Sequence, residues 1–179
     1  MQNNITLNPN EKIADVLKIT MPVFNDERGT LKKLFTSKIL PDFSTVDDAY
    51  STISKNKVFR GFHHQMNNYA QGKIVSCHRG VMRDYALDLR PGSSTFGSVA
   101  TFELNDAINE FVYIPKGFSH GMLSLANDTV TINLCCGDYI PMHEAGFHPF
   151  SVAPELMAQN IILSEKDKNL ERFNKCTLI

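Results

Sequence analysis

Three short segments concentrate side chains able to move a proton or hold a charge. The first, Arg60-Gly61-Phe62-His63-His64-Gln65, carries two adjacent histidines. An imidazole of ordinary pKa, about 6.5, takes up and returns a proton near neutral pH, so His63 is a candidate general base. Along a strand, alternation sends Phe62 and His64 to one face and His63 and Gln65 to the other. The plainer reading of a strand histidine is a hydrogen-bonded structural residue. The second segment, Gln71-Gly72-Lys73-Ile74-Val75, opens an apolar run with Lys73. That ammonium is either a solvated edge cation or a charge placed to stabilise an enolate oxygen. The third, Pro115-Lys116-Gly117-Phe118-Ser119-His120-Gly121, turns the chain and begins a strand with His120. Its Pro-x-Gly-x-x-His spacing is half of a common metal-binding motif, whose other half supplies His-x-His and a nearby glutamate. Adjacent histidines diverge and no glutamate follows closely, so three converging ligands are not provided and no metal is expected.

These segments need a scaffold, and the chain spells one out in short apolar runs. Strands are predicted at 29–36, 57–64, 73–78, 81–89, 99–104, 110–114, 120–125 and 129–135. Turn residues separate them, among them Arg79 with Gly80, Pro91 with Gly92, Asn105 with Asp106, Pro115 through Gly117, and Asn127 with Asp128. Many short strands at this spacing argue for an antiparallel sandwich or barrel. Helix is confined to the C-terminal end. Residues 154–159 allow about one turn, and Ser164-Glu165-Lys166-Asp167 resembles a capping box opening a short helix towards Phe173. Within the run 129–135, Val130, Ile132 and Leu134 share one face, and Thr129, Thr131, Asn133 and Cys135 the other. Asn133 then looks either into a wet cavity or into solvent.

Composition narrows the class. The 179 residues suit one domain, 1–179, large enough to bury a sizeable core. With 18 basic and 19 acidic residues the net charge is −1, which offers no field for nucleic acid or an anionic membrane. An anionic ligand must be held by a few placed cations. Residues 1–12 lack the basic and apolar regions of a signal peptide, and no apolar run reaches the roughly 18 residues of a membrane span. Four cysteines, Cys77, Cys135, Cys136 and Cys176, form no CxxC pair and read as reduced thiols of a cytoplasmic protein.

The segments above, with Asp26-Glu27-Arg28-Gly29, Asp88-Leu89-Arg90, Ser94-Thr95-Phe96-Gly97 and Ser164-Glu165-Lys166-Asp167, stand in an order that resembles the dTDP-4-dehydrorhamnose 3,5-epimerase family. The resemblance spans roughly residues 20–168. It implies an all-β, cupin-type jelly-roll barrel, a homodimer, no cofactor and no metal. It implies a nucleoside-diphosphate 4-keto-6-deoxy sugar as substrate and a deoxysugar for a surface polysaccharide such as an O-antigen as product. By resemblance His63 is the base, Lys73 the cation beside the 4-keto oxygen, and His120 a pocket histidine that binds or orients substrate. Arg28 and Arg60 match diphosphate contacts, and a forked guanidinium suits that group. Gln65 falls within the matching strand as a further substrate contact.

Departures from the family pattern are specific. The family's general-acid tyrosine, thirteen residues after the pocket histidine, is Asn133 here, and an amide does not donate a proton as a phenol does. The aspartate that orients the base lies in the family near a Trp-x-Asp-Pro stretch, and the matching Phe150-Ser151-Val152-Ala153-Pro154 has none. Asp48 and Tyr50 stand where a Gln and an Asn usually hold the nucleotide, which leaves dTDP-, CDP- and GDP-linked sugars all open. The leading expectation is inversion at C3 alone, with water held by Asn133, or Tyr139, as proton donor. The alternatives are a full 3,5-epimerase with a relocated acid and a sugar-nucleotide-binding protein without turnover.

Overall fold

Alternating side chains between turn residues build two facing antiparallel sheets. The computed structural model describes residues 5–40 and 43–174, so the first four residues of the polar N-terminal stretch and Cys176 lie outside it. The strands begin with β1 (Thr6–Pro9), β2 (Leu17–Thr20), β3 (Val23–Asp26), β4 (Gly29–Lys32) and β5 (Asp48–Ser54). They continue with β6 (Phe59–Gln65), β7 (Gly72–Arg79), β8 (Val81–Asp88) and β9 (Val99–Asn105). Last come β10 (Glu110–Ile114), β11 (Phe118–Ser124), β12 (Thr129–Cys136) and β13 (Glu144–Gly146). One sheet has the order β1-β2-β10-β7-β12-β5, the other β13-β6-β11-β8-β9, and β3 pairs with β4 as a separate hairpin. This is the expected cupin-type jelly roll.

Strand alternation divides the apolar residues among three layers. Between the sheets, Val75, Cys77, Val112 and Ile114 meet Met82, Ala86, Ala100, Leu104, Phe118 and Met122. On the outer face of the six-stranded sheet, Ile19, Ile74, Phe111 and Tyr113 are covered by Leu40 and Phe43. On the outer face of the five-stranded sheet, Phe59, Phe62, Tyr85 and Leu123 pack beneath Ala153 and Leu156. Full burial of each such side chain is worth about 1.5–3 kcal/mol. The remaining space between the sheets, where β5 and β12 face β6 and β11, is polar and holds a cavity.

Several expectations need correction. The run 29–36 is strand only to Lys32, because Leu34, Phe35 and Ile39 leave the hairpin to pack on the outer cluster. Strands β1, β2, β3, β5 and β13 were not predicted. β5 carries Asp48, Ser51 and Ser54 and has no apolar face that a period of two would reveal. Residues 154–159 form a six-residue 3-10 helix of about two turns, preceded by α1 (Pro149–Val152). The capping box forms, with Ser164 Oγ accepting from the Asp167 N–H at 3.0 Å, but α2 (Glu165–Lys168) stops after one turn. Cys77, Cys135 and Cys136 are free thiols.

Two motif segments prove architectural. The Asp88 carboxylate is fully buried and accepts from Arg90 Nε at 3.0 Å, Ser93 Oγ at 2.8 Å and Thr95 Oγ1 at 2.6 Å. Burial would raise its pKa, but these bonds together hold it well below the usual carboxylate range. They tie down the loop between β8 and β9. Gly117 turns the chain into β11 at φ +87°, and a Cβ there would sit 2.6 Å from Arg90 Cγ.

Candidate functional site

Cross-strand register shows what points inwards. Asp48 pairs with Cys135, Tyr50 with Asn133 and Thr52 with Thr131 across β5 and β12. On the other side of β12, Cys135 pairs with Lys73 and Asn133 with Val75. Directly opposed residues share a face, so these side chains form one polar wall. Thr129, Thr131, Asn133 and Cys135 are buried, whereas Val130, Ile132 and Leu134 are half-buried on the outside. Asn133 therefore faces the cavity rather than solvent. Its amide donates to Thr131 Oγ1 at 3.3 Å.

The cavity has two adjoining compartments, of about 270 and 190 Å³, which share Tyr50, His63 and Lys73 in their linings. Gln65, Tyr139 and Glu144 line the outer one, and Arg60, His120 and Asn133 the inner one. Of the predicted site residues, all but Arg28 thus meet at one cavity. Arg28 sits on the β3–β4 hairpin, 84% exposed in its side chain, and is engaged by Asp26 at 2.6 Å. It does not reach the cavity of its own chain.

His63 lies on β6 opposite His120 on β11, and the next register pair is Arg60 with Met122. Three steps along β6 thus match two along β11, so Arg60 and His63 line the same compartment although simple alternation would separate them. Gly61 makes the irregularity feasible: at φ +124°, a Cβ would lie 2.5 Å from the His120 carbonyl oxygen. His63 Nε2 is 2.7 Å from Asp167 Oδ1. The expectation of a missing orienting carboxylate is thereby corrected, since α2 supplies it rather than segment 150–154. Burial raises the Asp167 pKa, but bonds from His63, Ser164 and the Gly61 N–H outweigh it and keep the carboxyl below its usual range. His63 Nδ1 is 3.9 Å from Glu144 Oε1, too long for a hydrogen bond, and so remains free to accept a proton.

The surrounding groups have distinct environments. His64 lies beside Ser119 Oγ at 3.2 Å and stacks on Phe147. Burial first, then the charges of His63 and Lys73, push its pKa down to about 4, so it is uncharged at neutral pH. His120 Nε2 meets Asp84 Oδ1 at 2.6 Å, in a pair whose carboxylate is wholly buried. Lys73 has no hydrogen-bonded or ion-paired partner among the described residues, leaving its ammonium for a ligand. Arg60 Nε donates to Ser54 Oγ at 3.0 Å, and Gln65 Oε1 accepts from the Ile140 N–H at 3.1 Å. Tyr139 donates to Glu144 Oε2 at 2.7 Å, and Lys166 reaches the same oxygen at 2.6 Å. Among the described residues no three His, Cys, Asp or Glu side chains are grouped as metal ligands would be.

Glu144 lines the cavity and Asp167 and Asp84 stand behind its two histidines, although none of the three is expected from the sequence, and Tyr50, expected only at a nucleotide-holding position, lines both compartments. The sequence shows Asp167 only within the capping-box and family-matching segment 164–167, and Asp84 only as one of the polar residues of β8 beside Arg83. Such a cavity offers a proton acceptor, an unneutralised cation and a guanidinium around a small polar ligand.

Comparison with known proteins agrees with that arrangement. The family model described as dTDP-4-dehydrorhamnose 3,5-epimerase matches residues 10–175. The dTDP-4-dehydrorhamnose 3,5-epimerase of Shigella flexneri is 35% identical over 169 residues, covering 90% of this chain and 93% of its own. Among solved structures, the Legionella pneumophila dTDP-6-deoxy-D-glucose-3,5-epimerase in complex with dTDP-4-keto-L-rhamnose superposes with a TM-score of 0.84 at 28% identity, covering 94% of this chain and 92% of that one. ChmJ, a 3'-monoepimerase from Streptomyces bikiniensis in complex with dTDP-quinovose, gives a TM-score of 0.80 at 25% identity, covering 92% and 86%.

Proposed function

Since the chain belongs to the dTDP-4-dehydrorhamnose 3,5-epimerase family and is an epimerase, we propose that it inverts C3 of a nucleoside-diphosphate 4-keto-6-deoxyhexose. The observation that carries this reading is a free imidazole nitrogen on His63, backed by Asp167, in one cavity with the unpaired ammonium of Lys73.

A C–H bond next to a ketone is acidic because the resulting charge spreads onto oxygen. His63 Nδ1 takes the C3 proton, and the Asp167 carboxylate stabilises the imidazolium that forms, as the buried aspartate of a Ser-His-Asp triad does. The 4-keto oxygen becomes an oxyanion, and the Lys73 ammonium meets the charge as it develops. His120, held by Asp84, presents its other ring nitrogen to the sugar in the inner compartment and orients it. Arg60, steadied by Ser54, supplies a forked cation for the diphosphate. The substrate is a dTDP-linked sugar or a CDP- or GDP-linked counterpart.

Restriction to C3 follows from Asn133. The amide at that place donates no proton, so machinery for two inversions is incomplete on that strand. The resemblance to a 3'-monoepimerase supports a family scaffold that serves one centre. Incubation with dTDP-4-keto-6-deoxyglucose in deuterated water, followed by NMR of the product, tests the reading. Deuterium at C3 with an inverted C3 is expected. Deuterium at both C3 and C5 in a doubly inverted sugar would overturn the single-centre assignment.

A further inference from the structure

Inversion needs a proton delivered from the side opposite the base, and Asn133 cannot provide it. Of the described tyrosines, Tyr85 and Tyr113 lie in the outer clusters and Tyr69 stacks on His143. Only Tyr50 and Tyr139 line the cavity with His63. Tyr139 is confined to the outer compartment, and its hydroxyl proton is already given to Glu144 at 2.7 Å. Tyr50 lines both compartments, and no hydrogen bond engages its hydroxyl among the described residues. It is also the direct cross-strand partner of Asn133. Opposed residues on an antiparallel pair have Cβ atoms about 5 Å apart on the same face. A phenol rooted at position 50 therefore reaches into the space that a phenol at 133 would fill.

Resting on the reading above, we propose that Tyr50 is the catalytic proton donor to C3, standing in across the strand for the phenol that position 133 lacks. His63 projects from the five-stranded sheet and Tyr50 from the six-stranded one, so a sugar ring held between the sheets has them on opposite sides. The step balances without a cofactor. The C3–H bond breaks to His63 Nδ1, its electron pair forms the C3=C4 double bond, and the carbonyl π pair moves onto the 4-keto oxygen beside Lys73. As the enolate collapses, the Tyr50 O–H bond breaks and a new C3–H bond forms on the other face. Water then protonates the phenolate and takes the proton from the imidazolium. Although Tyr50 remains 41% exposed, burial and then Cys135, Asp48, Glu144 and Asp84 push its pKa above the usual tyrosine value. The phenol thus holds its proton throughout the neutral range.

The test is Tyr50→Phe, assayed with dTDP-4-keto-6-deoxyglucose in deuterated water, with calorimetric binding and thermal melting measured alongside. A residue this open, losing one oxygen, keeps the fold. C3 inversion is expected to fall by roughly 10²-fold or more, in the range for a lost general acid. Deuterium should still enter C3 of recovered, uninverted sugar, because His63 can return a deuteron to the face it came from. Inversion within about threefold of the unmodified enzyme would overturn the donor role while leaving the epimerase reading intact. Loss of deuterium exchange together with inversion, binding being unchanged, would also overturn it, since Tyr50 would then act before reprotonation. If the unmodified protein itself neither exchanges nor inverts C3, the epimerisation reading fails and this proposal with it.

Discussion

Two histidine–carboxylate pairs face each other across β6 and β11, and they are built differently. His63 and His120 are register partners, with carboxylates at 2.7 Å from Asp167 and 2.6 Å from Asp84. The first pair is the more open: side-chain exposure is 26% and 5% for His63 and Asp167, against 11% and 0% for His120 and Asp84. Asp167 is served by the Gly61 N–H besides its histidine, whereas Asp84 Oδ2 has no hydrogen-bond partner among the described residues. His63 also has a second carboxylate, Glu144, at a distance that adds field without tying up the nitrogen. The same pair of residue types thus gives two roles. An accessible imidazole backed by a hydrogen-bonded carboxylate can cycle a proton to water. One clamped to a fully buried carboxylate is held in place as a hydrogen-bonding group.

The largest effect expected from this contrast is at His63 itself. His63→Asn should lower kcat by roughly 10³-fold or more while calorimetry shows substrate bound within about threefold of normal. If His120→Asn cost as much in kcat, the division of roles would collapse. The carboxylates come next. Asp167→Asn should lower kcat by about 10- to 100-fold with KM nearly unchanged, because the imidazolium loses its counter-charge. Asp84→Asn should instead raise KM by about tenfold and spare kcat, because it loosens a group that orients bound sugar. Steady-state kinetics on the two variants would erase the distinction if both moved the same constant.

Stability with pH sharpens the contrast with a third histidine. His64 titrates near 6.5 in the unfolded chain but near 4 when folded. The unfolded state therefore binds more protons between these values, and stability is complete above about pH 6.5 and falls as pH drops towards 4. The loss amounts to at most about 3 kcal/mol. Urea denaturation of His64→Gln between those pH values should show a flatter profile than the unmodified protein, and an unchanged slope would remove His64 as the cause. The smallest effect is at Glu144. A carboxylate 3.9 Å from Nδ1 that makes no hydrogen bond to His63 contributes on the order of 1 kcal/mol, so Glu144→Gln should change kcat less than about fivefold. A hundredfold loss would mean that Glu144, and not Asp167 alone, sustains the base.

Much of this molecule is local information. Val81, Met82 and Tyr85 to Leu87 lie between Arg79-Gly80 and Pro91-Gly92, and such runs give β8 its length because turn chemistry and apolar burial act over a few residues. Ser164 caps α2 as its spacing requires. The motifs around His63, Lys73 and His120 mark the cavity because their residue types are unusual on strands. β5 escaped notice for a reason tied to function: Asp48, Tyr50 and Thr52 face a wet cavity, so its inward face imitates a solvent face.

What the sequence by itself determined, then, was the sheet-rich architecture, most of the central strands and the residue types that gather at the cavity, because turn chemistry, alternation and side-chain type are local properties. The tertiary structure alone decided sidedness and partnership. Alternation separates Asn133 from Ile132, but only the packing of the second sheet says which of them faces inwards. Asp167 reaches His63 across 104 residues, and Asp84 reaches His120 across 36. Contacts of that range depend on how the whole chain closes, and no local pattern of residues encodes them.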